Sequence, residues 1–186
     1  MAIVEKALDG GTEKIEQFDQ TISKWTKILE IDPGNADAYY NRGVAYREKG
    51  ELEQAMSDYT KALEIDPGNV SAYLDRGAAC LAKGQWEQAI SDFTKALEID
   101  PGYDKAYMNR AVAYSIEGPL EQAFSDYTKA LELNPMDASI YYNRGLTYSE
   151  IGEWDQAIAD FNKSLEMNPG DANALFNRGI AYEEKG

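Results

Sequence analysis

The chain has 186 residues, 44% of them hydrophobic, which suits a packed core, and contains no apolar run long enough to span a bilayer. Its 33 acidic residues outnumber 18 basic ones, and the net charge of −15 repels phosphate backbones and anionic lipid while accepting a neutral or basic polypeptide partner. With no histidine and a single cysteine, Cys80, the chain lacks the commonest general base and cannot form an internal disulfide or a zinc-type cluster, so neither metal nor cofactor is expected.

Residues 1–15 form a degenerate lead-in, because Gly10-Gly11 interrupts any helix there. No basic segment followed by an apolar run occurs from Met1 to Thr12; with the lone cysteine, that absence of a signal peptide points to the cytoplasm. From Phe18 to Leu29 apolar residues recur at helical spacing around Trp25, so residues 16–35 read as half of a repeat. Asn35 then opens a helix predicted over Ala36–Lys49, which Gly50 ends. A second helix is predicted over Leu52–Ile65 and closes at Asp66-Pro67, since proline disfavours helix in the residue before it.

The pair then recurs. Pro33, Pro67, Pro101, Pro135 and Pro169 each follow the last by 34 residues, marking units 36–69, 70–103, 104–137 and 138–171, with one more first helix in 172–186. All belong to one solenoid domain in this reading. Asn69, Asp137 and Asp171 repeat the cap of Asn35, whereas Tyr103 breaks the pattern and Asp104 is expected to cap in its place. Pro119 opens its helix where a missing N–H costs little.

The two helices of a unit differ in what they bury. In the second, Leu52, Ala55, Met56, Tyr59, Ala62 and Leu63 form one stripe against a wide polar back. In the first, Tyr39, Gly43 and Tyr46 make one stripe and Tyr40 and Val44 a second beside it, so this helix packs on two sides or lines a groove. Small residues recur at Gly43, Gly77, Ala111, Gly145 and Gly179, and at Ala55, Ala89, Ala123 and Ala157. Large rings recur at Tyr59, Phe93, Tyr127 and Phe161, the alternation that close helix packing needs.

The pattern Tyr39, Gly43, Tyr46, Ala55, Tyr59, Ala62, Pro67 at this period resembles the tetratricopeptide repeat over Asn35 to Gly186. The resemblance implies an all-α fold, a right-handed α-α superhelix of antiparallel helix pairs whose first helices line a concave side.

Candidate binding residues lie on those first helices. Asn41, Asn109, Asn143 and Asn177 stand two residues before the small residue of their helix, with Asp75 in the equivalent place. An amide can donate to a peptide C=O and accept from a peptide N–H. The series resembles the asparagine ladder in the superhelical domain of O-linked N-acetylglucosamine transferases, which implies a grip on peptide backbone; the competing reading is that the amides bridge neighbouring helices. Beside them run Tyr40, Leu74, Met108, Tyr142 and Phe176, and then Val44, Ala78, Val112, Leu146 and Ile180, the latter row expected to be ordinary core. Lys105 matches one position of the clamp with which some tetratricopeptide domains hold a chaperone's C-terminal carboxylate. Tyr40, Val44 and Asp75 occupy the clamp's other places, so that clamp is not expected.

Arg42, Arg76, Arg110, Arg144 and Arg178 form a further series that Asp58, Asp92, Asp126 and Asp160 are spaced to neutralise, as exposed structural pairs of small worth. Cys80 stands where Tyr46, Tyr114, Tyr148 and Tyr182 stand elsewhere and reads as a packing substitution. The function expected is a non-catalytic scaffold binding an extended peptide or helix in a concave groove. The alternatives are self-assembly into a homo-oligomer through the terminal helices, where Leu175, Ile180 and Tyr182 lack neighbours, or service as the substrate-binding region of a longer enzyme.

Overall fold

Four of the helices begin where a side chain accepts a backbone N–H that the helix itself leaves open. In the computed structural model, which describes the backbone of residues 2–186 and the side chains of residues 14–186, Asn35 Oδ1 accepts the Ala38 N–H at 2.8 Å and Asn69 Oδ1 that of Ala72 at 2.9 Å. Asp137 accepts from Ser139 at 2.9 Å and Asp171 from Asn173 at 2.9 Å. At the far end of the first hairpin, Gly50 adopts φ 85°, a left-handed value that a side chain resists. In each Asp-Pro-Gly turn the carboxylate bends back to accept the glycine N–H: Asp32 from Gly34 at 3.1 Å, Asp66 from Gly68 at 3.0 Å and Asp100 from Gly102 at 2.9 Å.

The result is ten helices and, among the described residues, no strand: α1 (Ala2–Ile31), α2 (Ala36–Lys49), α3 (Leu52–Ile65), α4 (Val70–Ala82), α5 (Trp86–Ile99), α6 (Asp104–Glu117), α7 (Leu120–Leu133), α8 (Ala138–Glu150), α9 (Trp154–Met167) and α10 (Ala172–Lys185). Two expectations differ from what is observed. α1 is a single helix that carries on through Gly10-Gly11, since each glycine costs roughly 1 kcal/mol relative to alanine and does not forbid a helix. The lead-in assigned to residues 1–15 lies almost wholly outside the described side chains. Asp104 does not cap α6 but is its first residue, and its carboxylate instead accepts from Asn134 Nδ2 at 2.8 Å.

The chain divides into two compact units, residues 1–99 and 100–186. The first holds α1 to α5 and the second α6 to α10. Within each, short turns force successive helices to lie antiparallel, and every helix packs on the next. First helices also meet directly: α2 reaches α4 in the first unit, while α6 reaches α8 and α8 reaches α10 in the second.

The contact that sets each hairpin is a ring over a helix backbone. Tyr59, Phe93 and Phe161 have 0% exposure, and each lies against the glycine of its partner first helix. A Cβ at Gly43 would stand 2.8 Å from the Tyr59 ring, one at Gly77 2.8 Å from Phe93 and one at Gly145 2.9 Å from Phe161, all closer than real carbon contacts allow. Ala55, Ala89, Ala123 and Ala157, also at 0% exposure, supply the small side of the same alternation. None of the described helices is long and apolar enough to cross a membrane.

Candidate polypeptide-binding faces

Between the helices run four near-identical ion pairs. Arg42 Nε and Nη2 donate to the two carboxylate oxygens of Asp58, both at 2.7 Å. Arg76 does the same to Asp92 at 2.9 and 2.7 Å, Arg110 to Asp126 at 2.7 and 2.8 Å, and Arg144 to Asp160 at 2.7 and 2.8 Å. The hydrogen bonds to aspartate hold these guanidinium groups above their already high ordinary range. In the first unit the remaining Nη1 ties in the preceding second helix, from Arg42 to Thr26 Oγ1 at 3.2 Å and from Arg76 to Thr60 Oγ1 at 2.9 Å. Arg178 Nη1 likewise donates to Asn162 Oδ1 at 2.7 Å.

These pairs are not the exposed, low-value contacts expected from sequence. The aspartate side chains are 2–9% exposed and the arginines 16–21%, because the carboxylates sit on the flank of the second helix that faces into the hairpin. They are therefore structural fasteners, each guanidinium committing Nε and Nη2 to its own aspartate. Tyrosine rings complete the setting: Arg144 lies between Tyr141 and Tyr148 at 5.7 and 6.0 Å, and Arg110 between Tyr107 and Tyr114 at 5.7 and 5.9 Å.

The asparagines sit on the other side of the first helices, half-buried. The side-chain amide of Asn41 donates to the Asp37 carbonyl one turn back at 2.7 Å. Asn143 donates to Ser139 O at 2.9 Å and Asn177 to Asn173 O at 3.0 Å. Their second N–H reaches the neighbouring first helix: Asn143 to Met108 Sδ at 3.8 Å and Asn177 to Tyr142 Oη at 3.1 Å. The donors of Asn143 and Asn177 are thus engaged within the protein, and among the described residues no partner is seen for their Oδ1 atoms. What these two residues offer a ligand is an acceptor, rather than the paired donor and acceptor expected. Asn109 lies half-buried at the equivalent place on α6.

The neighbouring row behaves in the same way. Tyr40, Leu74, Met108 and Tyr142 are half-buried and Phe176 is 69% exposed. Tyr142 accepts from Asn177 and so keeps its O–H proton to donate, beside Asn143 and the exposed ring of Phe176. In the first unit the arrangement is closed. Tyr40 Oη donates to Asp75 Oδ2 at 3.0 Å, and Arg47 donates to the other carboxylate oxygen and to Glu48 Oε1. Burial, followed by the Asp75 charge, pushes the Tyr40 hydroxyl up to about 12. Tyr40, Asn41 and Leu74 thus belong to a first-unit face fastened by Arg47 and Asp75. Asn109, Asn143, Asn177, Met108, Tyr142, Phe176 and the exposed Lys105 belong to an open second-unit face. Arg47 was missed in the sequence because its sister positions are Leu81, Ser115, Ser149 and Glu183, so it belongs to no series; the signal was Asp75, the one acid among the amides.

Cys80 is fully buried, packed in a cluster with Ala89 and Phe93, and burial pushes its thiol up to about 11. Such a thiol is neutral and inert at physiological pH, as a packing residue should be. No cluster of acids and cysteine that would hold a metal occurs among the described residues.

Comparison with known proteins agrees with this architecture. The tetratricopeptide repeat family model matches residues 36–69, 70–103 and 138–171, a second model described as a TPR repeat matches 116–152, and a third tetratricopeptide model matches 161–186. The chain belongs to the tetratricopeptide repeat family, whose members generally act as non-catalytic protein-interaction scaffolds. Among solved structures it is similar to a MamA protein at 32% identity and TM-score 0.72, with 81% of this chain and 82% of that one covered. It is also similar to YrrB, described as a TPR protein with an unusual peptide-binding site, at 24% identity and TM-score 0.77, covering 90% and 86%. A tetratricopeptide repeat protein from Parabacteroides merdae shares 22% identity over 100% of this chain and 73% of its own, with TM-score 0.82. No curated protein matches the chain.

Proposed function

We propose that this chain is a non-catalytic scaffold that holds an extended polypeptide along its first helices, with α8 and α10 as the principal grip. The observation that carries the reading is the state of Asn143 and Asn177. Both amides spend their N–H groups on their own helix and its neighbour, leaving Oδ1 without a partner among the described residues. Their Oδ1 atoms accept ligand N–H groups, and Tyr142 Oη donates to a ligand C=O. Met108, Tyr142 and Phe176 hold the ligand's side chains, while Asn109 and Lys105 extend the same face along α6. Tyr40, Asn41 and Leu74 form a lesser counterpart in the first unit. The net charge of −15 and the glutamates beside this face, Glu150 and Glu184, favour a basic ligand.

The test uses peptides selected from a random library against the unmodified protein. Two lost hydrogen bonds, at roughly 0.5–1.5 kcal/mol each, predict about a tenfold loss of affinity in Asn143→Ala/Asn177→Ala, with helicity and melting temperature nearly unchanged. Unaltered affinity, or a fall of many degrees in melting, would make the amides structural and end this reading.

A second reading has one observation in its favour: Leu175, Phe176, Ile180 and Tyr182 on α10 are 44%, 69%, 39% and 53% exposed. Such a face supports self-association. Light scattering on the unmodified protein and on Leu175→Glu/Ile180→Glu decides it. An oligomer that reverts to monomer in the variant supports association through α10, and an unmodified protein that is already monomeric excludes it.

A further inference from the structure

On the second-helix side of the first unit is a cleft of about 350 Å³ lined by Met56, Thr60, Arg76, Cys80, Gln85 and Gln88. Its origin is legible by comparison with the second unit. Two repeats further on, the positions of Met56 and Cys80 are held by Phe124 and Tyr148, whose rings stack 4.6 Å apart at an interplanar angle of 26°. The Tyr148 ring also lies 6.0 Å from Arg144, which is held on its other side by Tyr141 at 5.7 Å. The first unit keeps half of this sandwich: Arg76 has Tyr73 at 5.8 Å on one side, and on the other the small Cys80 stands where its sisters carry a ring. The ring that recurs at Tyr46, Tyr114, Tyr148 and Tyr182 is here a thiol, buried beneath the cleft, and Met56 stands where Phe124 is aromatic and the other sisters, Ile90 and Ile158, are aliphatic.

We propose that this cleft receives the aromatic side chain of a bound polypeptide, tyrosine above all. Each surface suits that occupant. The guanidinium of Arg76, held in place by Asp92 at 2.9 and 2.7 Å and by Thr60 at 2.9 Å, meets the face of a ring as Arg144 meets Tyr148. Met56 is unbranched and polarizable, packs against the buried cluster of Cys80, Ala89 and Phe93, and makes favourable sulfur contacts with a ring edge. Gln88 donates its amide to Asp92 Oδ1 at 3.3 Å, which leaves its carbonyl oxygen to accept a phenol O–H at the rim. The occupant is an uncharged ring, since Arg76 is already neutralised by Asp92. This site lies on different residues from the asparagine face and stands or falls independently of it.

The experiment is an NMR titration of the isotopically labelled protein with p-cresol and with acetyl-Gly-Tyr-Gly-amide, using 4-methylcyclohexanol and acetyl-Gly-Leu-Gly-amide as aliphatic counterparts. The expected result is a set of saturable shifts centred on Met56, Arg76, Cys80 and Gln88 with both aromatic probes, and binding at least about tenfold weaker with the aliphatic ones. The double variant Met56→Phe/Cys80→Tyr, which copies the second unit's own pair, is expected to abolish these shifts while keeping the helical signal. Should that variant fail to fold, Cys80→Tyr alone takes its place, since tyrosine is the residue of the sister repeats. Absence of shifts, equal response to the aliphatic probes, or binding that survives the filled cleft would overturn the proposal. Binding of p-cresol without the tyrosine peptide would overturn the assignment to a polypeptide side chain.

Discussion

Removing the Asp92 carboxylate would leave the Arg76 guanidinium largely buried and without its counter-charge. Asp92 is the most enclosed of the four aspartates, with its side chain 2% exposed against 16% for Arg76. Loss of one partner from such a pair costs roughly 3–5 kcal/mol, so Asp92→Ala is expected to lower the urea midpoint strongly. Lys61→Ala, which breaks only the exposed contact with Glu64, should change the unfolding free energy by less than about 0.5 kcal/mol and leave the midpoint nearly unmoved. Equal effects of the two changes would contradict the distinction. The sequence showed the spacing of these charges, sixteen residues apart in every repeat, and hence their pairing. It did not show their burial, because the aspartate lies on a second-helix flank whose polar residues read as solvent-facing until the hairpin angle is known. The amide donors of the asparagines were hidden for a related reason: a carbonyl one turn back is present in every helix and leaves no mark in the sequence.

At the scale of the helix pair, the glycines separate two kinds of position. Gly77→Ala places a Cβ 2.8 Å from the buried Phe93 ring, and overpacking of this kind costs roughly 1–3 kcal/mol, more than the helix propensity gained. At the sister Gly179 on α10 nothing lies within 4 Å, so Gly179→Ala is expected to stabilise by roughly 0.5–1 kcal/mol. Thermal melts of the two variants should move in opposite directions, and a common direction would refute the packing assignment. Helix pairing was the most legible level of this protein. The 34-residue spacing of Asp-Pro or Asn-Pro, the caps at Asn35, Asn69, Asp137 and Asp171, and the ring opposite each small residue all express local rules that repetition makes visible. What departs from repetition was legible only as a departure. Asp75 interrupts the amides and Cys80 interrupts the tyrosines, but the ion pair with Arg47 and the cleft beside Arg76 depend on which neighbour approaches in three dimensions.

For the whole molecule the buried acids of high pKa set an alkaline limit. Burial holds the Cys80 thiol neutral up to about 11, against an ordinary value of 9.0, and the Tyr127 and Tyr40 hydroxyls up to about 12, against 10.0. Above pH 9 the unfolded chain releases these protons while the folded chain keeps them, so the unfolded state binds fewer protons and stability falls as pH rises. The contribution is intact below about pH 9 and is lost progressively up to about pH 12. Melting temperature should decline across that window, and Cys80→Ala should flatten its early part; a flat profile would show that these groups are not buried in solution.

NMR mapping of a library-selected peptide on the labelled protein decides whether a polypeptide lies along the first helices of the second unit. The expected shifts concentrate at Asn143, Asn177, Tyr142 and Phe176. Shifts confined to the second helices α7 and α9, with those four residues unmoved, would contradict that placement.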